Sequence, residues 1–96
     1  VDIRRSSEWA QTGVVPKSIL ITFFDKEGNY NYNEWYEKLR LEIDEGKPII
    51  LICRTGRRTK IIAEMMDTKF DNVIYNAKSG ITSWIDEKLI TVKPRY

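Results

Sequence analysis

The chain has little of several features that would place it in a special class of protein. A single cysteine among its 96 residues excludes an internal disulfide, so nothing points to a disulfide-stapled secreted fold. No apolar run approaches the roughly 20 residues that cross a bilayer, and internal repeats are absent. A formal net charge of only +2 lacks the basic excess typical of nucleic-acid-binding domains. We therefore expect neither a membrane nor a nucleic acid as a partner.

The composition is that of a folded globular domain. Hydrophobic residues make up 42% of the chain and charged residues 31%, which argues against disorder. Ninety-six residues are enough for one core and too few for two, so we expect one domain over residues 1–96. A cytoplasmic location is expected. The chain opens on Val1 rather than on methionine, so a targeting segment upstream would not be seen.

The most informative stretch runs over residues 48–66. Residues 49–52 form a continuous apolar run, which is typical of a strand buried on both faces in a parallel sheet, and the run ends at Cys53. After a short loop, apolar residues recur at spacings of three and four, which predicts a helix beginning near Arg57. The cysteine therefore lies at the carboxyl end of a strand, where open α/β sheets place their ligand crevices.

The loop after Cys53 has the composition of an anion site. The first N–H groups of the following helix lack partners and point back into the loop, and three arginines add positive charge. Such surroundings favour a thiolate and lower the pKa of a cysteine. Gly56 allows backbone conformations that bring N–H groups close to a bound anion.

The remaining elements follow from the same patterns. Trp35, Leu39 and Ile43 recur every four residues and predict a core-facing helix from Asn31 that ends before Gly46. Further buried strands are predicted at residues 19–24 and 73–75. Short helices are predicted at residues 6–10, capped by Ser6 or Ser7, and after Gly80. A polar connection is predicted at residues 67–71, and a return along the sheet edge at 89–96.

The loop and its flanks resemble the active site of the rhodanese family of sulfurtransferases, where an apolar strand ends in a pattern such as C-R-S-G-x-R-S. Here residues 53–59 read C-R-T-G-R-R-T. Residues 1–4 with Glu8 and Trp9 resemble the family's opening D-x-R motif, residues 13–18 its G-H-I-P-G-A turn, and residues 72–84 its closing strand, glycine turn and tryptophan. Val14 replaces the usual histidine, Lys17 a glycine, and Ser79 the first of two glycines.

This resemblance implies an α/β fold with a central, mainly parallel sheet flanked by helices on both faces. It implies that Cys53 carries sulfane sulfur as a persulfide, from an anionic donor such as thiosulfate or a persulfide to a thiol, cyanide or protein-thiol acceptor. No cofactor and no metal is implied. Members usually carry a short strand and helix before the D-x-R strand, so the chain is either a fragment or an abbreviated member.

The resemblance also assigns roles to individual residues. Asp2 and Arg4 would support the cysteine loop by hydrogen bonds; the alternative is a surface ion pair. The substrate-binding residues would be Arg54, Thr55, Gly56, Arg57, Arg58 and Thr59. Arg58 is expected to turn inward, to hold the anion or to pair with a carboxylate, whereas Arg54 and Arg57 face the mouth of the pocket.

Two other functions remain open at this stage. One is a non-catalytic binding module that keeps the fold, although inactive rhodanese modules commonly lack the cysteine. The other is a cysteine-dependent phosphatase or arsenate reductase. Such phosphatases place five residues between cysteine and arginine, whereas four separate Cys53 from Arg58 and Thr59 stands at the phosphatase position. The shorter loop favours sulfur transfer over phosphate hydrolysis.

Overall fold

The centre of the fold is a small parallel sheet. The computed structural model describes residues 1–44, 46–66 and 73–94. Strand β1 (Ile49–Leu51) pairs in parallel with β2 (Ile74–Asn76), so that Ile50 lies beside Tyr75. Isolated parallel bridges extend the pairing outward, from Ile52 to Asp2 and from Asp2 to Leu20. The predicted α/β fold with a parallel sheet is confirmed, with two short regular strands in the described part.

Four helices accompany this sheet. They are α1 (Ser6–Thr12), α2 (Tyr32–Arg40), α3 (Arg57–Met66) and α4 (Gly80–Asp86). Helix α2 begins after Asn31, whose side chain accepts a hydrogen bond from the Glu34 N–H at 3.1 Å, as its predicted position at the helix start requires. It ends earlier than predicted, and Leu41 is 84% exposed. The residue before α1 is Arg5, not Ser6 or Ser7 as predicted.

One face of the sheet carries the core. Ile49 and Leu51 of β1 are buried against Trp35 and Leu39 of α2 and Ile62 of α3. The Trp35 ring also lies edge-on to Phe23, and its Nε1–H donates to the Ile21 carbonyl at 3.1 Å. Trp35 and Leu39 of α2 therefore face the core, as predicted. Each fully buried large side chain contributes about 1.5–3 kcal/mol to the stability of the fold.

The opposite face of the sheet is covered only in part. The predictions of buried strands at residues 19–24, 49–52 and 73–75 are therefore wrong about the extent of burial. Ile50 is 58% exposed and Tyr75 54% exposed, so neither β1 nor β2 is buried on both faces. No element in the described ranges packs over these two side chains. Residues 19–24 are extended beside residues 2–4, but they pair through a single bridge, and among them only Phe23 is buried.

A segment near the end of the described chain pairs with a segment near its start. Val92 and Val14 exchange two antiparallel backbone hydrogen bonds of 2.8 Å, in keeping with the predicted return along an edge. Lys17 and Ser79, which replace glycines of the family pattern, both adopt positive φ, at 68° and 63°. The predicted connection at 67–71 and the last two residues lie outside the described residues. None of the helices in the described ranges is long and apolar enough to span a membrane.

Candidate active site

Cys53 lies between β1 and the start of α3, at the point predicted from the sequence. The apolar residues of β1 hold it in the core, and the residue is only 1% exposed. Four residues later the chain enters α3, so the first N–H groups of this helix point toward the sulfur. The Gly56 N–H donates to Cys53 Sγ at 3.1 Å.

The polar groups around the sulfur favour its charged form. Burial by itself raises the pKa of the Cys53 thiol. This effect is outweighed by hydrogen bonds from the Thr59 hydroxyl and from the N–H groups of Thr59, Gly56 and Arg58, and the pKa lies below its ordinary value. The Thr59 side chain is completely buried, with Oγ1 3.5 Å from Sγ. The structure therefore brings together a thiol and a ring of hydrogen-bond donors.

Two glycines let the surrounding backbone come this close. Gly56 has φ +93°, and a Cβ built there would lie 3.1 Å from the Ser79 nitrogen. Gly80 is more restricted, because a Cβ there would lie 2.3 Å from the Cys53 carbonyl oxygen. The turn before α4 thus packs directly against the cysteine loop, and the Ile81 N–H donates to that same carbonyl at 2.8 Å.

Arg58 is paired with a carboxylate. Its guanidinium donates to both oxygens of Glu8, at 2.8 and 2.7 Å, in a bidentate arrangement. The Arg58 hydrogen bonds hold the pKa of Glu8 well below its usual range, at about 2, against the opposing effect of burial. Of the two roles left open for Arg58, carboxylate pairing is the one observed.

The other loop residues face solvent. Arg54, Thr55 and Arg57 are all exposed. Arg54 lines a groove of about 420 Å³ between α1 and α4, together with Arg5. The loop is fastened to α4 by its backbone, since the Thr82 hydroxyl donates to the Arg54 carbonyl at 2.8 Å. The side chains of Arg54 and Arg57 are thus accessible from solvent.

Asp2 and Arg4 form a buried ion pair. Their side chains are 0% and 1% exposed and 2.8 Å apart, which excludes the surface pair considered as an alternative. The remaining guanidinium bonds go to the Thr12 hydroxyl at 2.9 Å and the Gly13 carbonyl at 3.1 Å. Among the described residues, neither side chain hydrogen-bonds to the cysteine loop. The pair instead fixes the 2–4 segment, whose Ile3 N–H donates to the Ile52 carbonyl beside Cys53.

Two residues near the loop were not predicted as site residues. The sequence marks Glu8 only as part of the opening motif, and the signal that could have identified it is the cationic loop, whose Arg58 was expected to pair with a carboxylate. Asn76 is the other, and its side chain donates to the Gly56 carbonyl at 3.1 Å. The sequence signal that could have identified Asn76 is a polar residue at the end of an apolar strand. No cluster of metal-ligating side chains occurs within the part of the chain that is described.

Comparison with known proteins gives one consistent description. Residues 1–87 match the family model for the Rhodanese-like domain. A rhodanese domain-containing protein of Drosophila melanogaster is 38% identical over 61 residues, which are 60% of this chain and 55% of that protein. The chain thus spans little more than half the length of this curated relative. A crystal structure of a rhodanese-related protein from Thermoplasma volcanium matches with a TM-score of 0.70 and 25% identity, covering 98% of this chain and 82% of the other.

Proposed function

Because the chain belongs to the rhodanese-like domain family, we propose that it is a sulfurtransferase that carries sulfane sulfur on Cys53. The observation that carries the proposal is the ring of donors around the sulfur: the Gly56 N–H, the Thr59 hydroxyl and the first N–H groups of α3. Donors held in place before the reaction stabilise negative charge on sulfur without reorganising.

The proposed reaction has two displacement steps. The Cys53 thiolate attacks the outer sulfur of thiosulfate, the donor's S–S bond breaks, and sulfite leaves with the bonding electron pair. A persulfide anion then occupies the place of the thiolate within the same ring of donors. A nucleophilic acceptor, cyanide or a thiol, attacks the outer sulfur and returns Cys53 as the thiolate. One difficult transfer thus becomes two easier ones, and no cofactor is required.

The arginines divide into two roles in this proposal. Arg54 and Arg57 are exposed and attract an anionic donor to the loop. Arg58 is bonded to Glu8, and in this role it holds the start of α3 against α1, so that the helix N–H groups stay directed at Cys53.

Intact-mass measurement after incubation with thiosulfate tests the proposal directly. We expect the protein to gain one sulfur atom, and cyanide to remove it with release of thiocyanate. Since Cys53 is the only cysteine, the added sulfur has one possible carrier. Cys53→Ser should neither gain sulfur nor turn over, with an unchanged circular dichroism spectrum.

Three outcomes would contradict the proposal. Wild-type turnover by the Cys53→Ser variant would remove the cysteine from the mechanism. A wild-type protein that takes up no sulfur from thiosulfate or from glutathione persulfide would support the non-catalytic binding module instead. Efficient, Cys53-dependent hydrolysis of an aryl phosphate without persulfide formation would support the phosphatase.

A further inference from the structure

The side chain of Asn76 connects β2 to the cysteine loop through two hydrogen bonds. Its Nδ2 donates to the Gly56 carbonyl at 3.1 Å. This bond fixes the orientation of the amide, so that Oδ1 is the atom facing Thr59, and the Thr59 hydroxyl donates to it. Asn76 is therefore in contact with two of the residues that donate to Cys53 Sγ, Gly56 and Thr59, although no hydrogen bond joins it to the sulfur.

The Thr59 hydroxyl has one proton and several acceptors within reach. These are Asn76 Oδ1, the Gly56 carbonyl at 3.2 Å and Cys53 Sγ at 3.5 Å. A protonated thiol satisfies the hydroxyl oxygen as a donor, which leaves the Thr59 proton for Asn76. A charged sulfur is an acceptor only, and it competes with Asn76 for that proton. The direction of one O–H bond thus depends on the charge of Cys53.

We propose that Asn76 is a positioning residue, whose Oδ1 accepts the Thr59 hydroxyl proton while Cys53 is a thiol and releases it when the sulfur is negatively charged. The proton of Thr59 moves only by rotation about the C–O bond, and no bond is broken. The inference rests on the proposed function, because a hydroxyl that turns toward the sulfur when the sulfur becomes negatively charged is useful in sulfur transfer. Its test does not depend on sulfur transfer.

The network predicts opposite effects for its two members. Thr59→Val removes the hydroxyl from the thiolate, so it should raise the pKa of Cys53 and slow alkylation at neutral pH by about tenfold. Asn76→Ala removes the acceptor that favours the thiol state, so it should lower the pKa of Cys53 and speed alkylation by roughly threefold. Asn76 is exposed, so the alanine variant should keep the fold.

A double-mutant cycle on the pH dependence of iodoacetamide alkylation isolates the connection. Alkylation reports Cys53 alone, because the chain has no other thiol. We expect the shift of the alkylation midpoint caused by Asn76→Ala to be larger in the wild-type and Thr59→Ser proteins, which keep a hydroxyl, than in Thr59→Val. Thr59→Ala replaces Thr59→Val if the valine variant fails to fold. The loss of the Nδ2 bond to Gly56 acts in every background and therefore cancels in the cycle.

Two results would overturn the inference. One is a shift from Asn76→Ala that is equal with and without the Thr59 hydroxyl, which would mean that Asn76 only stiffens the loop. The other is an unchanged or slower alkylation in Asn76→Ala with Thr59 intact. Either result can occur whether or not the protein forms a persulfide, so failure of this inference is distinguishable from failure of the proposed function.

Discussion

Replacing Glu8 by glutamine should weaken the attachment of the cysteine loop to α1. Glu8 accepts both hydrogen bonds of the Arg58 guanidinium, and its Oε1 also accepts the Arg5 N–H at 3.2 Å. Glutamine keeps one acceptor oxygen for these contacts and loses the charge. The substitution therefore removes the charged, bidentate part of the interaction with little change in volume.

The magnitude follows from the acidity of Glu8. Its pKa is lowered from 4.5 to about 2, mainly by hydrogen bonds from Arg58 and less by the Arg5 N–H and the charge of Arg4. At about 1.4 kcal/mol per pH unit the whole shift corresponds to about 3 kcal/mol of stability. Solvent screens part of this, because the Arg58 side chain is 27% exposed. We expect Glu8→Gln to lower the free energy of unfolding by about 1–2 kcal/mol at pH 7.

The pH dependence provides the sharper test. Because the pKa of Glu8 is depressed in the folded state, its contribution is complete above the unfolded-state pKa of 4.5 and is lost as the pH falls through about 2. Urea denaturation between pH 7 and pH 3 should therefore show the difference between wild type and variant shrinking below pH 4.5.

A second ion pair serves as the control for Glu8→Gln. Glu37→Gln breaks an exposed pair with Arg40 on α2, where the two side chains are 65% and 57% exposed, and should cost less than about 0.5 kcal/mol. An equal loss in both variants, or a Glu8→Gln loss that stays constant down to pH 3, would refute the reasoning.

Two other substitutions test the packing and the electrostatics of the loop. Gly80→Ala should destabilise the protein by at least about 2 kcal/mol and abolish sulfur uptake, because the new Cβ would lie 2.3 Å from the Cys53 carbonyl oxygen. Gly28→Ala, also at positive φ but with nothing within 4 Å of the new Cβ, should cost only about 1 kcal/mol by urea denaturation. Equal losses in the two variants would contradict the packing argument. Arg57→Ala should raise the KM for thiosulfate more than it lowers kcat, and it should reduce the salt dependence of KM. The control Lys26→Ala should change neither quantity. Unchanged kinetics in Arg57→Ala would mean that this arginine does not contribute to donor binding.

Local patterns along the chain were sufficient to predict the strand, loop and helix around Cys53. The apolar run of β1, the glycine in the loop and the helical spacing after Arg57 are all short-range features, and the structure has each of them. The same holds for the core side of α2, where a period of four residues predicted the burial of Trp35 and Leu39.

Burial on the second face of the sheet was beyond the reach of such patterns. An apolar run such as residues 49–52 predicts a buried strand, but it does not say whether another element packs over each face. Ile50 and Tyr75 are exposed because no described element covers them, and Ile52 is buried on the same face. Only the arrangement of the whole chain decides which apolar side chains are covered.

The candidate nucleophile and the kind of surroundings it has could be predicted from the sequence alone, since Cys53, the loop glycine and the helix start are contiguous. Which distant side chains complete the candidate site depends on the tertiary structure. Glu8 meets Arg58 across 50 residues of chain, and Asn76 meets Thr59 across 17. Hydrogen bonds need atoms within about 3 Å of each other, and for residues so far apart in the chain that distance is set by the packing of α1 and β2 around the loop.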